Sequence, residues 1–309
     1  MQHELNTNFS ILSVISYYDV FAHPLSTEEI HFRMNKAEKI ENIKIELDAL
    51  VESKIINKHK GYFFLPHHSN EIVEQRKEKE ILAKQFLEKS KKYSSIISKF
   101  PFVRGVCISG SLSKGVMEKD GDVDYFIITE KGRLWICRSL LILFKKVFLL
   151  NSRKYFCTNY FVDLDNLEIP DKNLFTATEI NSLKPVFSSI HFDTFVRQNN
   201  WTNEFQPNYT RKDETLSIKD SNAFKRIIEK AFSGKTGEKL DTYFFKLTLN
   251  RWRKKFPSFD EAEFDLHMRS RKNVSKHHPR AYQTKVLDKH KESLANLSLQ
   301  LNALSIEAA

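Results

Sequence analysis

Two aspartates stand two residues apart at the start of an apolar run, Asp122 and Asp124, with Val123 between them. In an extended strand, residues i and i+2 project from the same face, so both carboxylates point in one direction. Two like charges at the edge of a buried strand repel each other and lose hydration. A divalent cation removes that repulsion, and carboxylate oxygens are ligands that Mg²⁺ prefers. The pair therefore predicts a Mg²⁺ site, with a solvated turn as the alternative.

A second pattern precedes the aspartates, where Gly110 and Ser111 end an earlier apolar run. A glycine at a strand end lets the backbone approach a ligand closely. The serine hydroxyl and neighbouring backbone N–H groups can donate hydrogen bonds to phosphate oxygens, and Lys114 could add a positive charge. A phosphate-binding turn beside two metal-binding carboxylates indicates chemistry on a nucleoside triphosphate.

With these two patterns the chain resembles the DNA polymerase β-like nucleotidyltransferase superfamily. Its minimal members show Gly-Ser, a small residue, a basic residue and a glycine, and then Asp-hydrophobic-Asp at the start of the next strand. The matching residues are Gly110, Ser111, Ser113, Lys114, Gly115, Asp122, Val123 and Asp124. Gly121 stands where a serine is common, and the resemblance covers roughly residues 100–165, about a fifth of the chain. The wider order of segments also resembles uncharacterised bacterial nucleotidyltransferase-domain proteins.

The resemblance implies a Mg²⁺-dependent nucleotidyltransferase that uses an NTP as substrate. Gly110, Ser111 and Lys114 would bind the triphosphate, and Asp122 and Asp124 would hold Mg²⁺ on it. An acceptor hydroxyl would attack the α-phosphorus, and pyrophosphate would leave. The acceptor (a small molecule, a protein or a nucleic acid), the base preference, the oligomeric state and the pathway are left open.

The resemblance also implies a third carboxylate on a later strand, and the matching segment is residues 154–165. Simple alternation places Asn159 and Asp163 on one face of that strand, with Tyr155, Cys157 and Phe161. Asn159 cannot act as a base and is a weaker metal ligand. Asp163 has the right chemistry and is the candidate third catalytic residue, although it also fits a cap before a turn. The remaining alternatives are an acid from elsewhere, or a catalytically degenerate nucleotide-binding protein that acts as an interaction or nucleic-acid-binding module.

The elements around these residues predict an α+β chain. Residues 101–169 read as strand, turn, strand, helix and strand, which predicts a nucleotidyltransferase core with a mixed sheet. Residues 1–66 read as three helices and a hairpin, a winged-helix-like domain, and residues 67–100 as a charged connecting helix. Residues 170–309 are expected to be mainly helical.

The charge of its third helix argues against sequence-specific DNA binding by the winged-helix-like domain. Its third predicted helix, residues 38–52, carries two lysines and five acidic residues. A helix that enters the major groove must neutralise phosphates, so a protein-contact or scaffold role fits this helix better.

The chain's excess positive charge is concentrated elsewhere. Its formal net charge is +10, and residues 211–291 hold 21 basic against 11 acidic residues. Basic clusters within 251–291 make nucleic acid a candidate partner there, with solvated helix faces as the alternative.

Cysteine usage and hydropathy bear on the compartment. The three cysteines are Cys107, Cys137 and Cys157; they form no CxxC pair, and a reducing cytoplasm fits them best. The N-terminus lacks the features of a signal peptide. The most apolar segment, residues 135–150, is interrupted by Arg138, Lys145 and Lys146, so no membrane span is expected.

Overall fold

A computed structural model of the chain describes residues 7–211 and 223–307. In this part of the chain the fold is α+β, with twelve α-helices, a two-stranded hairpin and a mixed six-stranded sheet. Among the helices described, none combines the length and the apolar character needed to cross a membrane.

The N-terminal region forms three helices and a hairpin, as the sequence predicts. The elements are α1 (Thr7–Asp19), α2 (Thr27–Arg33), α3 (Ile40–Glu52), β1 (Asn57–His59) and β2 (Tyr62–Phe64). Ser26 and Glu29 form a reciprocal capping box that starts α2, the arrangement that stabilises a helix N-terminus. Ile43, Leu47 and Leu50 form the buried stripe of α3.

The predicted connecting segment is a long helix, α4 (Glu71–Ser98), and it belongs to two packed cores. Near its start, Arg76 donates hydrogen bonds to both carboxylate oxygens of Glu29 in α2. Farther along, Phe86 and Ile97 pack into the apolar cluster of the central sheet. The helix therefore fixes the N-terminal region against the sheet.

The centre of the sheet follows the predicted order of strands. It consists of β3 (Val103–Ser109), α5 (Gly110–Ser113), β4 (Asp124–Thr129), α6 (Leu134–Phe148) and β5 (Cys157–Asp163). β3 and β4 are antiparallel, whereas β4 and β5 are parallel because α6 carries the chain back across the sheet. The mixed sheet expected from the sequence is confirmed.

The C-terminal region is mostly helical but also extends the sheet, which the sequence analysis missed. Its elements are α7 (Leu174–Ser182), β6 (Lys184–Phe187), α8 (Ser189–Gln198), a 3₁₀ helix (Asn200–Glu204), α9 (Ala223–Ala231), α10 (Lys235–Lys255), α11 (Glu261–Met268), β7 (Ser270–Arg271), β8 (Val274–Lys276) and α12 (Tyr282–Glu307). The order of strands in the sheet is β6-β3-β4-β5-β8-β7, so both edges come from residues after 169.

The two faces of the sheet are covered by different helices. Tyr125 and Ile127 of β4 belong to a buried cluster with residues of α4 and α6. Phe126 and Ile128 belong to a second cluster with residues of α7 and α8. Both faces are therefore buried, and a polar side chain on β4 reaches solvent only near the end of the strand.

The last helix returns to the first. Val286 of α12 is buried in the same apolar cluster as α1. The imidazole of His290 lies within hydrogen-bond distance of the Ser13 and Ser16 hydroxyls. α12 thus packs with the N-terminal region, although it is far away in sequence.

Candidate functional site

The Gly110-Ser111 turn and Asp124 lie side by side because of the strand register. Ser109, the last residue of β3, is the antiparallel partner of Asp124, the first residue of β4. The N–H of Val123 donates to the Lys154 carbonyl at 2.9 Å, and the Val123 side chain is fully buried. Asp122 and Asp124 flank this anchored residue, and both are half-buried.

A glycine is required at position 110 for two reasons, the backbone conformation and the close approach to Asp124. Its φ is +67°, in the left-handed region that side chains disfavour. A methyl group at this position would lie 2.7 Å from Oδ2 of Asp124, which is closer than such atoms approach. The glycine therefore lets the turn backbone lie directly against the carboxylate.

Asp124 is held among like charges. Burial, and to a smaller extent the carboxylates of Asp122 and Glu179, raise the pKa of its carboxyl to about 6. A hydrogen bond with Cys157 and the charge of Lys114 act in the opposite direction. Negative charge exceeds positive charge around Asp124, so a bound cation would stabilise the ionised form.

Glu179 of α7 is the residue that the sequence analysis missed. Its Oε1 accepts a hydrogen bond of 2.6 Å from Nζ of Lys114, which also donates to the Gly110 carbonyl at 3.2 Å. The lysine predicted to bind phosphate is therefore fixed on the turn by an acid from another region. Glu179 adds a third carboxylate to the surroundings of Asp124.

Asn159 is placed beside Asp124 by an irregularity in β5. Thr158 pairs with Tyr125 and Tyr160 pairs with Phe126, so Asn159 is an extra residue between them. Its side-chain amide donates to Oδ1 of Asp124 at 2.9 Å. The extra residue reverses the alternation, and the prediction that Asn159 shares a face with Phe161 and Asp163 is wrong.

Asp163 lies at the other end of β5, opposite Thr129, the last residue of β4. Its two oxygens accept hydrogen bonds of 3.0 Å each from the backbone N–H groups of Gly132 and Asp165. This is the capping role that the sequence analysis kept as the alternative. The expectation that Asp163 joins Asp122 and Asp124 is therefore corrected, because a full strand length separates them.

The two nucleophile types near the turn differ in accessibility. Ser111 is exposed at the start of α5. Cys157 is half-buried, and burial together with the negative charge of Asp124 raises the pKa of its thiol. A protonated thiol is a poor nucleophile, so the geometry does not favour cysteine chemistry here.

Five of the twelve lysines and arginines in residues 251–291 form ion pairs with acidic side chains. Arg269 and Lys276 both contact Asp171, and Arg271 contacts Asp265. Lys272 contacts the buried Asp241, and Arg253 pairs with Glu261. These ion pairs reduce the charge available to a nucleic acid, because each involves a cation that the region was expected to offer.

The residues at the turn fit Mg²⁺ by their donor chemistry. Asp122, Asp124 and Glu179 offer carboxylate oxygens, and the pKa of Asp124 is raised mainly by burial and further by its two acidic neighbours. Oxygen donors with high negative charge are what a hard divalent cation binds. Asp122 and Asp124 are the residues that would hold the ion.

Comparison with known proteins identifies no relative. No protein-family model, no curated protein and no solved structure matches the chain.

Proposed function

We propose that this protein is a Mg²⁺-dependent nucleotidyltransferase that transfers NMP from an NTP to an acceptor hydroxyl. The observation that carries the proposal is the contact between the Gly110 backbone and the carboxylate of Asp124. It brings a phosphate-binding type of turn against an acid whose pKa is raised to about 6 by burial and by its acidic neighbours. The sequence resemblance to the polymerase β-like superfamily supports the same activity.

The roles of the residues follow from their positions. The exposed Ser111 hydroxyl would donate to the triphosphate, and Asp122 and Asp124 would orient it through their shared cation. Mg²⁺ would supply charge neutralisation for the phosphates and polarise the α-phosphorus. Lys114 is tied to Glu179 and would exchange that partner for a phosphate oxygen.

The reaction balances without a further reactant. The acceptor oxygen forms a bond to the α-phosphorus, and the bond from that phosphorus to the bridging oxygen of the β-phosphate breaks. Pyrophosphate leaves with the electron pair of the broken bond. The hydroxyl proton passes to a carboxylate of the site and from there to water.

The test uses matched samples of one NTP labelled at the α- or the γ-phosphorus. Transfer predicts that the α-label appears in a product or on the protein, while the γ-label appears only in pyrophosphate. Asp122→Ala/Asp124→Ala and removal of Mg²⁺ should each lower the rate by at least about a thousandfold, because both remove the charge neutralisation.

Asp120→Asn is the control, since it removes an exposed carboxylate from the same loop. It should retain the wild-type rate. Nucleotide binding that is indifferent to Mg²⁺ and to both substitutions would overturn the proposal. The acceptors to be screened are small molecules, proteins and nucleic acids. A nucleic-acid acceptor would bind to the basic 251–291 region.

A second candidate function is a nucleotide-binding protein without transfer activity. Asn159 favours it, because this amide contacts Asp124 at 2.9 Å where the superfamily pattern has an acid. This candidate predicts Mg²⁺-dependent binding that the double substitution abolishes, with neither label transferred to any acceptor. The N-terminal helices and hairpin would then act as an interaction module. In both cases we propose a reducing, cytoplasmic location, which suits three cysteines that are all free.

A further inference from the structure

A second group of ligand-type side chains lies in the N-terminal region, away from the turn at Gly110. Asp19 is the last residue of α1, and His67 and His68 lie between β2 and α4. Oδ1 of Asp19 lies 2.9 Å from Nε2 of His68 and 3.3 Å from Nε2 of His67. The ligand atoms of all three residues lie within 4.8 Å of one another.

A single hydrogen bond to Asp19 does not explain this arrangement. A single histidine would satisfy Oδ1 of Asp19, but two adjacent imidazoles direct the same ring nitrogen to it. His67 does so although 59% of its side chain is exposed and could point into solvent. The two rings lie close together, with centroids 4.1 Å apart. Three donors therefore converge on one point at the protein surface.

The two separations between Asp19 and the histidines are close to the edge length of a metal coordination tetrahedron. Bonds of about 2.0–2.1 Å from zinc to nitrogen or oxygen place neighbouring ligands about 3.3 Å apart. The measured 2.9 and 3.3 Å are close to this value, so small side-chain rotations suffice to admit an ion. Nitrogen donors select borderline transition metals, whereas Mg²⁺ and Ca²⁺ prefer sites made of oxygen.

The surroundings favour a fixed but open site. The side chains of Asp19 and His68 are only 16% and 23% exposed, and both border a small recess. The apolar residues that line this recess are Ile15, Phe63, Phe64, Leu65 and Ile72. The N–H of His68 donates to the Leu65 carbonyl, which fixes the turn. The exposed side of His67 leaves room for water as a fourth ligand.

We propose that Asp19, His67 and His68 bind a zinc-class divalent cation, with water completing the coordination. The ion would link the end of α1 to the turn that precedes α4, in addition to the apolar contacts between them. This site is independent of the proposed transferase function, because it shares no residue with the turn at Gly110 and uses nitrogen ligands.

The experiment uses the full, untagged chain and measures binding of Zn²⁺ by calorimetry and of Co²⁺ by visible absorption. We expect one Zn²⁺ per chain, a tetrahedral Co²⁺ spectrum that Zn²⁺ displaces, and a rise in melting temperature with Zn²⁺. Mg²⁺ should not compete. His67→Ala, His68→Ala and the isosteric Asp19→Asn should each weaken Zn²⁺ binding by about tenfold or more.

His59→Ala is the control, since it removes a half-exposed histidine of the nearby β1–β2 hairpin, outside the cluster. It should bind Zn²⁺ like the wild type. Circular dichroism without metal checks that each variant is folded. No Zn²⁺ binding by the wild type, or wild-type affinity in a folded His67→Ala/His68→Ala double variant, would overturn the proposal. A preference for Mg²⁺ over Zn²⁺ would overturn it as well.

Discussion

Two aspartates on neighbouring strands of the same sheet, Asp124 and Asp163, differ in the groups that donate hydrogen bonds to them. Asp163 is 2% exposed and accepts a backbone N–H on each oxygen. Asp124 accepts one amide hydrogen bond from Asn159 and lies among other acids. Burial raises the pKa of both carboxyls.

The difference separates a structural acid from a candidate functional one. At Asp163 the backbone donors compensate for lost hydration, because they form hydrogen bonds that the fold itself needs. Acidic neighbours raise the pKa of both carboxyls, but the hydrogen-bond partners of Asp124 are the side chains of Asn159 and Cys157 rather than backbone groups. An acid that the fold compensates only in part, through side chains, is a candidate for binding a cation or exchanging a proton.

The largest effect that follows from this comparison is a loss of stability in Asp163→Ala. Removing both acceptors leaves the N–H groups of Gly132 and Asp165 without these partners in a partly buried turn. We expect the free energy of unfolding to fall by about 2–4 kcal/mol, as measured by urea denaturation. Nucleotide binding, measured well below the melting temperature, should be unchanged.

Asp165→Ala is the matched control for that variant. Its side chain is 47% exposed and pairs with Lys131 at the surface, so the expected loss is under about 1 kcal/mol. Equal losses in the two variants would contradict a structural role specific to Asp163. Selective loss of nucleotide binding in folded Asp163→Ala would place this acid back in the site.

A smaller effect of opposite sign is expected for Asp124→Asn. The rise of the pKa from 3.8 to about 6 makes the ionised carboxylate unfavourable in the folded chain, by about 3 kcal/mol at most. This penalty is fully present above the folded pKa and disappears as the pH falls toward the unfolded value. Near neutral pH and without Mg²⁺, the variant should be more stable than the wild type by about 1–3 kcal/mol.

The measurement is the difference in unfolding free energy between wild type and Asp124→Asn as a function of pH. The difference should shrink on acidification through the folded pKa, and Mg²⁺ should reduce it near neutral pH by stabilising the wild type alone. Asp120→Asn, in the exposed part of the same loop, should change stability little at any pH. A pH-independent difference for Asp124→Asn would mean that the folded chain does not raise the pKa of this carboxyl.

Sequence patterns predicted the centre of the sheet because its strands are long and apolar. β3 and β4 carry local signals, and the structure confirms their positions. The C-terminal strands β6, β7 and β8 have two to four residues each, which is too short for a recognisable period. Their pairing is determined by the packing of the C-terminal helices.

Sequence patterns placed the paired aspartates and the glycine turn next to each other, but not the other acid. Glu179 reaches Lys114 through the packing of α7, and nothing in its local sequence marks it. The position of Asn159 depends on a register shift of one residue, which reverses side-chain alternation without changing composition. Tertiary packing and register, which are not local properties, therefore decide which side chains surround Asp124.

The smallest predicted effect tests the contact between Gly110 and Asp124. Gly110→Ala and Gly115→Ala both place a side chain at positive φ, at +67° and +81°, so both should lose about 1 kcal/mol or more. Only Gly110→Ala also places a methyl group 2.7 Å from Oδ2 of Asp124, whereas nothing lies within 4 Å at Gly115. We expect an additional loss of about 1–2 kcal/mol in unfolding free energy for Gly110→Ala in urea denaturation.

In an Asp124→Ala background the additional loss should vanish, because the carboxylate oxygen is gone. The two glycine variants should then have equal unfolding free energies. If the difference persists in that background, the carboxylate is not what requires a glycine, and the turn and the acid are neighbours without being coupled.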